Sequence, residues 1–344
     1  MDKKNVLMVG PDRLVHGGIS GVVNLYYEAG LETKVNLKYI GTMREGSKIS
    51  KLLVAMCAYF SFILSLPKYD IVHIHAASDR SFERKSFFVR AAYKHHKKII
   101  LHQHGGDFIN WYNSLPDKKK EKVQEVLDMA DKMLVLAPNW QDYFGNLTDK
   151  SKIIVFPNTI PIPENFDKDY KNKKILFLGR ICEAKGIREL IGASKELRST
   201  FPEVTIELGG IWEDKKLEKE IREDCPNIRY LGWLTGENKD KALREASIFV
   251  MPSHFEGQCI SIVEAMARGC AIVASNTGGI PMMVHDRETG ILVEPKSSKS
   301  LYEGIRSVLE DIQLMEQLGK HGREMAASEY NIENAIKKLY EEVY

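Results

Sequence analysis

Cysteine is scarce in this chain, and no two cysteines form a CxxC pair. The five are Cys57, Cys182, Cys225, Cys259 and Cys270. An odd and scattered set does not build a disulfide framework, so the pattern favours a reducing compartment. The chain starts with a short strand pattern rather than a signal peptide. We therefore expect a cytoplasmic protein.

A strong net charge and a long apolar run are missing as well. The formal net charge is only +2, which gives no reason to expect nucleic acid as a partner. The most apolar run, 52–66, is shorter than the roughly 20 residues that a spanning helix needs. We expect a buried or interfacial helix there. Neither a Walker lysine nor a GxGxxG motif occurs, so an ATPase or a simple dehydrogenase is not supported.

Short apolar runs alternate with helical patterns along almost the whole chain. The predicted strands are 6–9, 71–74, 99–102, 132–136, 153–155, 175–178, 204–208, 228–231, 248–250, 271–274 and 291–293. The predicted helices include 120–130, 187–198, 215–224, 239–245 and 300–318. This alternation predicts an α/β protein with two doubly wound, Rossmann-like parallel sheets that face a cleft.

The length of 344 residues suggests about two domains. A Pro-, Asn- and Asp-containing stretch, 161–173, has the composition of a linker. It separates a first domain, 1–160, from a second, 174–330. The last segment, 331–344, contains an amphipathic helix, which either packs on the second domain or crosses back to the first.

Glu256 and Glu264 are the most informative residues. They lie in a segment that joins an apolar strand to a helix through a turn containing Gly257. The N-terminus of such a helix favours an anion, whereas carboxylates accept hydrogen bonds from hydroxyls. Phosphate on the backbone and sugar hydroxyls on the carboxylates together describe a nucleotide sugar.

A second strand-to-helix loop carries cations. The strand pattern 175–178 runs into Gly179 and Arg180, and Lys185 follows five residues later. An Arg and a Lys on one loop are suited to neutralising a diphosphate. Without a second signal, a cationic loop of this kind is more often exposed to solvent than part of a binding site.

At this point the chain resembles the retaining glycosyltransferases of family 4, which have the GT-B fold of two Rossmann-like domains. The resemblance covers essentially the whole chain. It is most specific at Pro-Ser-His-Phe-Glu-Gly (252–257), Glu-Ala-Met-Ala-Arg-Gly (264–269), Gly-Gly (278–279) and Thr-Gly-Ile-Leu-Val-Glu-Pro (289–295). Gly17-Gly18 and His104-Gly105 match motifs of the family's first domain.

The resemblance implies a role for each matching residue. Glu256 and His104 are expected near the donor sugar, Glu264 on the ribose, and Arg180 and Lys185 on the departing diphosphate. The remaining donor-binding residues implied are Gly17, Gly18, Gly179, Trp233, Leu234, Gly257, Gln258, Cys259, Ile260 and Ser261. The first domain would bind the acceptor and the second the nucleotide sugar.

Two patterns suggest a metal, and we interpret neither as a site. His73 and His75 share one strand face, as do His102 and His104, but no Cys or carboxylate joins them at ligand spacing. Asp167-Lys168-Asp169 resembles a DxD motif, yet no strand precedes it, so we interpret it as a solvated turn. We expect no metal and no other cofactor. Gly105 and Gly106 open a loop after His104, whereas His102 is expected to pack within the sheet.

The sequence therefore predicts a retaining hexosyltransferase acting from a nucleotide sugar, with a UDP-sugar favoured. The acceptor would be a hydroxyl of a glycan or lipid-linked glycan in bacterial surface polysaccharide synthesis. Two alternatives stay open: a nucleotide-sugar epimerase, and a non-catalytic nucleotide-sugar-binding subunit. The basic, aromatic stretch 80–98 is either a membrane-surface helix on the inner face or a Rossmann helix with solvated lysines.

Overall fold

A computed structural model describes residues 3–15, 17–105 and 107–344. These residues form two compact units. The first unit comprises residues up to Pro161 together with Ile332–Tyr344, and the second comprises Ile162–Asn331. Each unit holds one six-stranded sheet in which all strand pairs are parallel.

The first unit has the strand order β2-β1-β3-β4-β5-β6. Its strands are β1 (Asn5–Gly10), β2 (Asn36–Gly41), β3 (Ile71–Ala76), β4 (Lys98–Gln103), β5 (Lys132–Val135) and β6 (Ile153–Val155). Its helices before residue 161 are α1 (Gly18–Glu28), α2 (Leu31–Lys34), α3 (Lys48–Ser65), α4 (Asp79–Lys94), α5 (Phe108–Asn113), α6 (Asp117–Asp128) and α7 (Pro138–Gly145). The inner strands β1, β3, β4 and β5 are largely buried, as expected for a parallel sheet with helices on both faces.

The second unit has the strand order β12-β11-β10-β7-β8-β9. Its strands are β7 (Lys174–Leu178), β8 (Thr205–Gly209), β9 (Ile228–Gly232), β10 (Ile248–Met251), β11 (Ala271–Ser275) and β12 (Gly290–Val293). Its helices are α8 (Ile187–Thr200), α9 (Lys215–Asp224), α10 (Gly236–Glu245), α11 (Ile260–Ala267), α12 (Ile280–Met283), α13 (Ser298–Glu310) and α14 (Ile312–Glu329).

After α14 the chain returns to the first unit. α15 (Ile332–Lys338) continues into a π-helical turn, Leu339–Val343. The backbone oxygens of this end accept hydrogen bonds from lysines at the starts of strands of the first sheet. Lys4 Nζ donates to Tyr340 O at 2.5 Å and Lys98 Nζ donates to Tyr344 O at 2.8 Å. Cations stabilise the carbonyl groups at a helix C-terminus.

The predicted helix 300–318 is wrong in one respect, because the chain forms two helices there. Asp311 separates α13 from α14, and its side chain accepts hydrogen bonds from Gln313 N and Leu314 N, both at 3.0 Å. An acidic side chain at this position caps the new helix. Strand β2 was not predicted. It is an edge strand whose first residue, Asn36, is exposed.

The stretch 161–173 packs against the second unit rather than hanging free. Lys168 Nζ donates to Leu243 O at 2.7 Å and to Ala246 O at 2.6 Å, at the end of α10. Tyr170 Oη donates to Gly269 O at 3.0 Å. Lys168 is therefore a C-terminal cap, and the interpretation of 167–169 as a wholly solvated turn is wrong at this residue.

Helix α3 is longer and more exposed than its apolar run suggested. With the following turn it forms a stretch, Ile49–Lys68, of 20 residues with a mean hydropathy of 1.9. Among the residues described, this is the one helix long and apolar enough to cross a membrane by length and composition. Only 22% of its window is buried, so of the two expected alternatives the buried helix is wrong and the interfacial helix stays open.

Candidate active site

The two central strands of the second sheet mark its ligand-binding edge. β7 and β10 are hydrogen-bonded neighbours although they are not consecutive, so the strand order reverses between them. Doubly wound sheets bind ligands at the carboxyl ends of their strands at such a switch point. The loop after β7 carries Arg180 and Lys185, and the loop after β10 carries Glu256. The predicted residues thus come from the two strands that flank the crevice.

Glu256 forms an ion pair across this switch point. Its Oε1 atom accepts a hydrogen bond from Lys185 Nζ and a second one from Ser253 Oγ at 2.8 Å. The exposed fractions of the Lys185 and Glu256 side chains are 18% and 11%. Because water is largely excluded, the two charges interact more strongly than an exposed pair would.

Two glycines hold the loop that bears Glu256. Gly279 N donates to Glu256 O at 2.8 Å. Gly278 has a φ of +57°, and a Cβ at this position would collide with the carbonyl oxygen of Glu256. Glycine alone combines this left-handed conformation with so close an approach. The motif 278–279 therefore supports the backbone of the candidate catalytic carboxylate.

Glu264 lies within α11 and has a lysine partner of its own. Its Oε1 accepts a hydrogen bond from Lys239 Nζ of α10 at 2.6 Å. The exposed fractions of the Lys239 and Glu264 side chains are 34% and 18%. Lys239 was not predicted from the sequence, because no motif links two residues that tertiary packing alone brings together. Both predicted carboxylates are thus neutralised by a lysine.

The predicted run 257–261 contains the N-terminus of α11, which begins at Ile260. Cys259 is the N-cap residue, and its side chain makes no capping hydrogen bond. The N-terminus of such a helix suits an anion. Burial, with the Glu256 carboxylate nearby, raises the pKa of the Cys259 thiol to about 12. This thiol stays protonated and is a poor nucleophile. Gln258, Ile260 and Ser261 complete the run and are each partly buried.

The structure pairs Arg180 with a different carboxylate. Its Nη1 lies 3.2 Å from both carboxylate oxygens of Glu213, and its side chain is 61% exposed. Gly179 N donates to Gly209 O at 3.0 Å, which aligns the ends of β7 and β8. Trp233 and Leu234 follow β9, the next strand of the sheet. Trp233 is 49% exposed, so its ring is accessible at the same sheet edge.

In the first unit, Gly17 and Gly18 stand where α1 begins. The preceding strand, β1, lies between β2 and β3, so a switch point of the first sheet also lies beside it. Gly17 has an extended backbone and is the N-cap residue of α1. A Cβ built on either glycine would meet no atom within 4 Å. Packing within the described structure therefore does not require glycine at these positions.

His104 follows β4 and is held by neighbouring side chains. Its Nε2 lies 2.9 Å from His75 Nδ1. Burial lowers the pKa of His104 to about 3, although a hydrogen bond with Asn158 opposes this effect. The ring is therefore neutral at physiological pH and acts as a hydrogen-bonding group rather than a cation. Gly106, the next part of the predicted loop, lies outside the described residues.

His104 belongs to a stack of four histidines on β3 and β4. Its ring centroid lies 4.0 Å from that of His102, and the His73 and His75 centroids lie 4.5 Å apart. His73 Nδ1 is 2.7 Å from Tyr344 Oη, and His73 Nε2 is 3.3 Å from His102 Nδ1. His102 is buried, as predicted for a residue within the sheet.

Three of these histidines are close enough to hold a metal. The ring nitrogens of His73, His75 and His102 all lie within 4.8 Å of one another. Four of their six ring nitrogens have hydrogen-bond partners, whereas His75 Nε2 and His102 Nε2 are buried without one in the described structure. Three neutral imidazoles fit a divalent metal, so the expectation that the chain holds no metal stays a prediction.

The second unit is similar in sequence to a known family of enzymes. Residues 158–325 match the family model described as Glycosyl transferases group 1. An uncharacterized glycosyltransferase of Methanocaldococcus jannaschii is 24% identical over 310 residues, which cover 80% of this chain and 75% of that protein. A phosphatidyl-myo-inositol mannosyltransferase of Mycolicibacterium smegmatis is 31% identical over 157 residues, which cover 45% of this chain and 40% of that protein.

Solved structures match over nearly the whole chain. Sucrose-phosphate synthase from Thermosynechococcus elongatus has a TM-score of 0.78 at 18% identity and covers 98% of this chain and 97% of its own. Anabaena HepE, in complex with UDP and glucose, has a TM-score of 0.77 at 16% identity and covers 99% of both chains. At such identities the likeness shows the fold alone. The predicted GT-B fold of two parallel α/β sheets is confirmed.

Proposed function

We propose that this glycosyltransferase, whose residues 158–325 match the Glycosyl transferases group 1 family model, moves a hexose-type sugar from a nucleotide sugar. The acceptor is a hydroxyl of a glycan or lipid-linked glycan, in bacterial surface polysaccharide assembly. A UDP-sugar donor is supported by the related fold of HepE, which was solved in complex with UDP-glucose. The configuration at the anomeric carbon is retained.

The pairing of Lys185 with Glu256 at the switch point carries this proposal. A cation and a carboxylate that share one crevice bind opposite ends of a sugar diphosphate. Lys185 Nζ turns to the diphosphate, where charge develops on the leaving group. Glu256 then accepts hydrogen bonds from sugar hydroxyls. The Lys185–Glu256 hydrogen bond holds both side chains near the places they take up with donor bound, which limits reorganisation.

The remaining site residues support the same donor. Glu264 is suited to the ribose hydroxyls, and the first turn of α11 to a phosphate. Arg180, at the exposed end of β7, adds a second cation to the diphosphate. Trp233 and Leu234 flank the base, and the open surroundings of Gly17 and Gly18 leave room for close approach of phosphate or acceptor. Neutral His104 donates or accepts a hydrogen bond at the donor sugar.

The reaction proceeds as a front-face displacement. The bond from the anomeric carbon to the phosphate oxygen breaks, and the acceptor oxygen attacks from the same side. The acceptor proton passes to the departing diphosphate, which serves as the base. The fixed cations of the site stabilise the negative charge that grows on this leaving group. We therefore propose that no metal ion is required.

Replacement of Glu256 tests the function directly. We expect Glu256→Ala to lower turnover of a UDP-sugar at least about a hundredfold, because the lost hydroxyl contacts strengthen in the transition state. The thermal midpoint should change little. Glu303→Ala, an exposed glutamate of α13 paired only with Lys299, is the matched control and should retain wild-type turnover. A near-wild-type rate in Glu256→Ala removes this residue from the site.

Product analysis separates the proposal from the two alternatives. An acceptor-dependent product with a retained anomer, identified by NMR, supports transfer, whereas an inverted product contradicts the mechanism. Conversion of UDP-sugars without an acceptor indicates an epimerase. Donor binding in calorimetry without turnover indicates a binding subunit. Full activity in excess chelator is expected, and its loss contradicts metal independence.

A further inference from the structure

Helix α3 presents a continuous apolar face to solvent. The large apolar side chains on this face are Ile49, Leu52, Leu53, Met56, Phe60 and Leu64, with exposed fractions between 50% and 78%. We call these residues the outward face. Their spacing of three and four positions places them on one side of the helix. Monomeric soluble proteins rarely expose so large a contiguous apolar surface, which marks a site of interaction.

The opposite side of α3 packs on the core of the first unit. Ala58, Phe62 and Leu66 are buried in the same apolar cluster as residues of the sheet. Phe62 also contacts Phe88 of α4, with ring centroids 5.0 Å apart. The helix connects β2 to β3, two strands of one parallel sheet. It cannot span a bilayer without breaking this sheet, so only its outward face is available to a partner.

A groove extends the outward face onto α4. Its volume is about 230 Å³, and it is lined by Tyr59, Ile63, Phe87, Arg90, Ala91, Lys94 and His95. Phe87 is 64% exposed and continues the apolar surface. Arg90 and Lys94 stand at the same groove, and Arg90 also pairs with Glu125 at 3.0 Å. Apolar and cationic groups therefore share one surface.

The charged residues of α3 and of the turn that follows it are all basic. No acidic residue occurs between Glu45 and Asp70, whereas Lys51 and Lys68 stand near the two ends of the helix. Both lysines are exposed. An apolar stripe flanked by cations complements the acyl chains and the anionic headgroups of a lipid leaflet. A second copy of the chain would instead bring like charges together.

We propose that the outward face of α3 docks the first unit onto an anionic membrane surface. The helix axis lies in the plane of the interface. The apolar side chains insert among the upper acyl chains, and Lys51, Arg90 and Lys94 contact headgroup phosphates. The basic helix considered in the sequence analysis, α4, contributes mainly at this groove, because its Phe82, Phe88 and Val89 are buried. This surface is independent of the donor site.

Flotation with lipid vesicles tests the proposal without measuring catalysis. The full chain is mixed with vesicles of equimolar phosphatidylcholine and phosphatidylglycerol, or of phosphatidylcholine alone. We expect binding to the anionic vesicles that weakens as salt is raised. The double variant Leu53→Ser, Phe60→Ser should lower the partition coefficient about a hundredfold, since each side chain contributes roughly tenfold. Lys94→Glu should lower it roughly tenfold on anionic vesicles.

The control is Ile312→Ser, which replaces an apolar residue of α14 that is 40% exposed. It should bind vesicles like the wild type. Circular dichroism melting of every variant shows whether the fold is intact. Absence of vesicle binding by the wild type, or equal binding by the folded double variant, overturns the proposal. Sedimentation that reveals a dimer abolished by the double variant, without vesicle binding, assigns the face to a second copy and also overturns it.

Discussion

Mild acid should destabilise the first unit more than the second. Burial lowers the pKa of His73 and of His104 to about 3. It also holds the pKa of His75 and of His102 well below the usual value. The unfolded chain takes up these protons near pH 6.5, whereas the folded unit resists them until a much lower pH. The free energy of unfolding therefore falls as the pH drops below about 6.5.

The effect is large because the four imidazoles act in the same direction. One pKa unit corresponds to about 1.4 kcal/mol. At pH 5, about 1.5 units below the ordinary histidine pKa, His73 and His104 have each lost about 2 kcal/mol of stabilisation relative to neutral pH. These two rings together lose about 4 kcal/mol, and His75 and His102 add a loss of the same sign. A whole domain is stabilised by about 5–15 kcal/mol.

Hydrogen exchange followed by mass spectrometry measures this effect in each unit separately. After correction for intrinsic exchange, peptides from β3 and β4 should lose several kcal/mol of protection between pH 7.5 and 5, and peptides from β7 and β10 should change little. His73→Asn should reduce the slope by about 1.4 kcal/mol per pH unit, whereas His95→Asn, at an exposed position, should not. Equal losses in both units, or a His73 resonance that titrates near pH 6.5, would refute the reasoning.

Three further substitutions test local features. Gly278→Ala should weaken UDP binding in calorimetry about tenfold or more, because the new methyl group collides with the loop that bears Glu256; unchanged affinity counts against this support. Asp311→Ala should cost about 1 kcal/mol in denaturant unfolding by removing a helix cap, and no loss would show that the cap is dispensable. Tyr344→Phe should cost about 1–3 kcal/mol, because it leaves His73 Nδ1 buried without its partner. Tyr340→Phe is the matched control, and an equal loss there would exclude the hydrogen bond as the cause.

The alternation of apolar runs and helical patterns was sufficient to predict two parallel sheets. The same pattern gave wrong predictions where the position of a residue in the folded protein differs from what its local sequence suggests. β2 was missed because Asn36 and Lys38 interrupt the apolar run of an edge strand, one side of which pairs with no neighbour. The break between α13 and α14 was missed because Asp311 interrupts a pattern that is otherwise helical on both sides. Lys85 was expected to be solvated, yet it is 1% exposed and bonded to Thr42.

The candidate site was predictable where chemistry and spacing coincide in one segment. Glu256, Glu264 and the cationic loop were all named from sequence, and their roles stay predictions. Lys239 was not found, because its contact with Glu264 depends on how α10 packs beside α11. The hydrogen bond between His75 and His104 could likewise not be predicted, because it depends on the register of β3 against β4. Motifs within one loop can be recognised from the sequence, whereas contacts between side chains of different helices and strands cannot.

The return of residues 332–344 to the first unit has a consequence for biosynthesis. A nascent chain emerging from the ribosome has synthesised every strand of the first sheet by residue 155. The hydrogen bond between His73 and the Tyr344 hydroxyl can nevertheless form only after Tyr344 has been synthesised. The same holds for the hydrogen bond from Lys98 Nζ to the backbone oxygen of Tyr344. The second unit is one continuous segment, Ile162–Asn331. Fewer residues therefore have to be synthesised between its first strand and its last residue than in the first unit. During translation, the half that is made first is thus the half that is completed last.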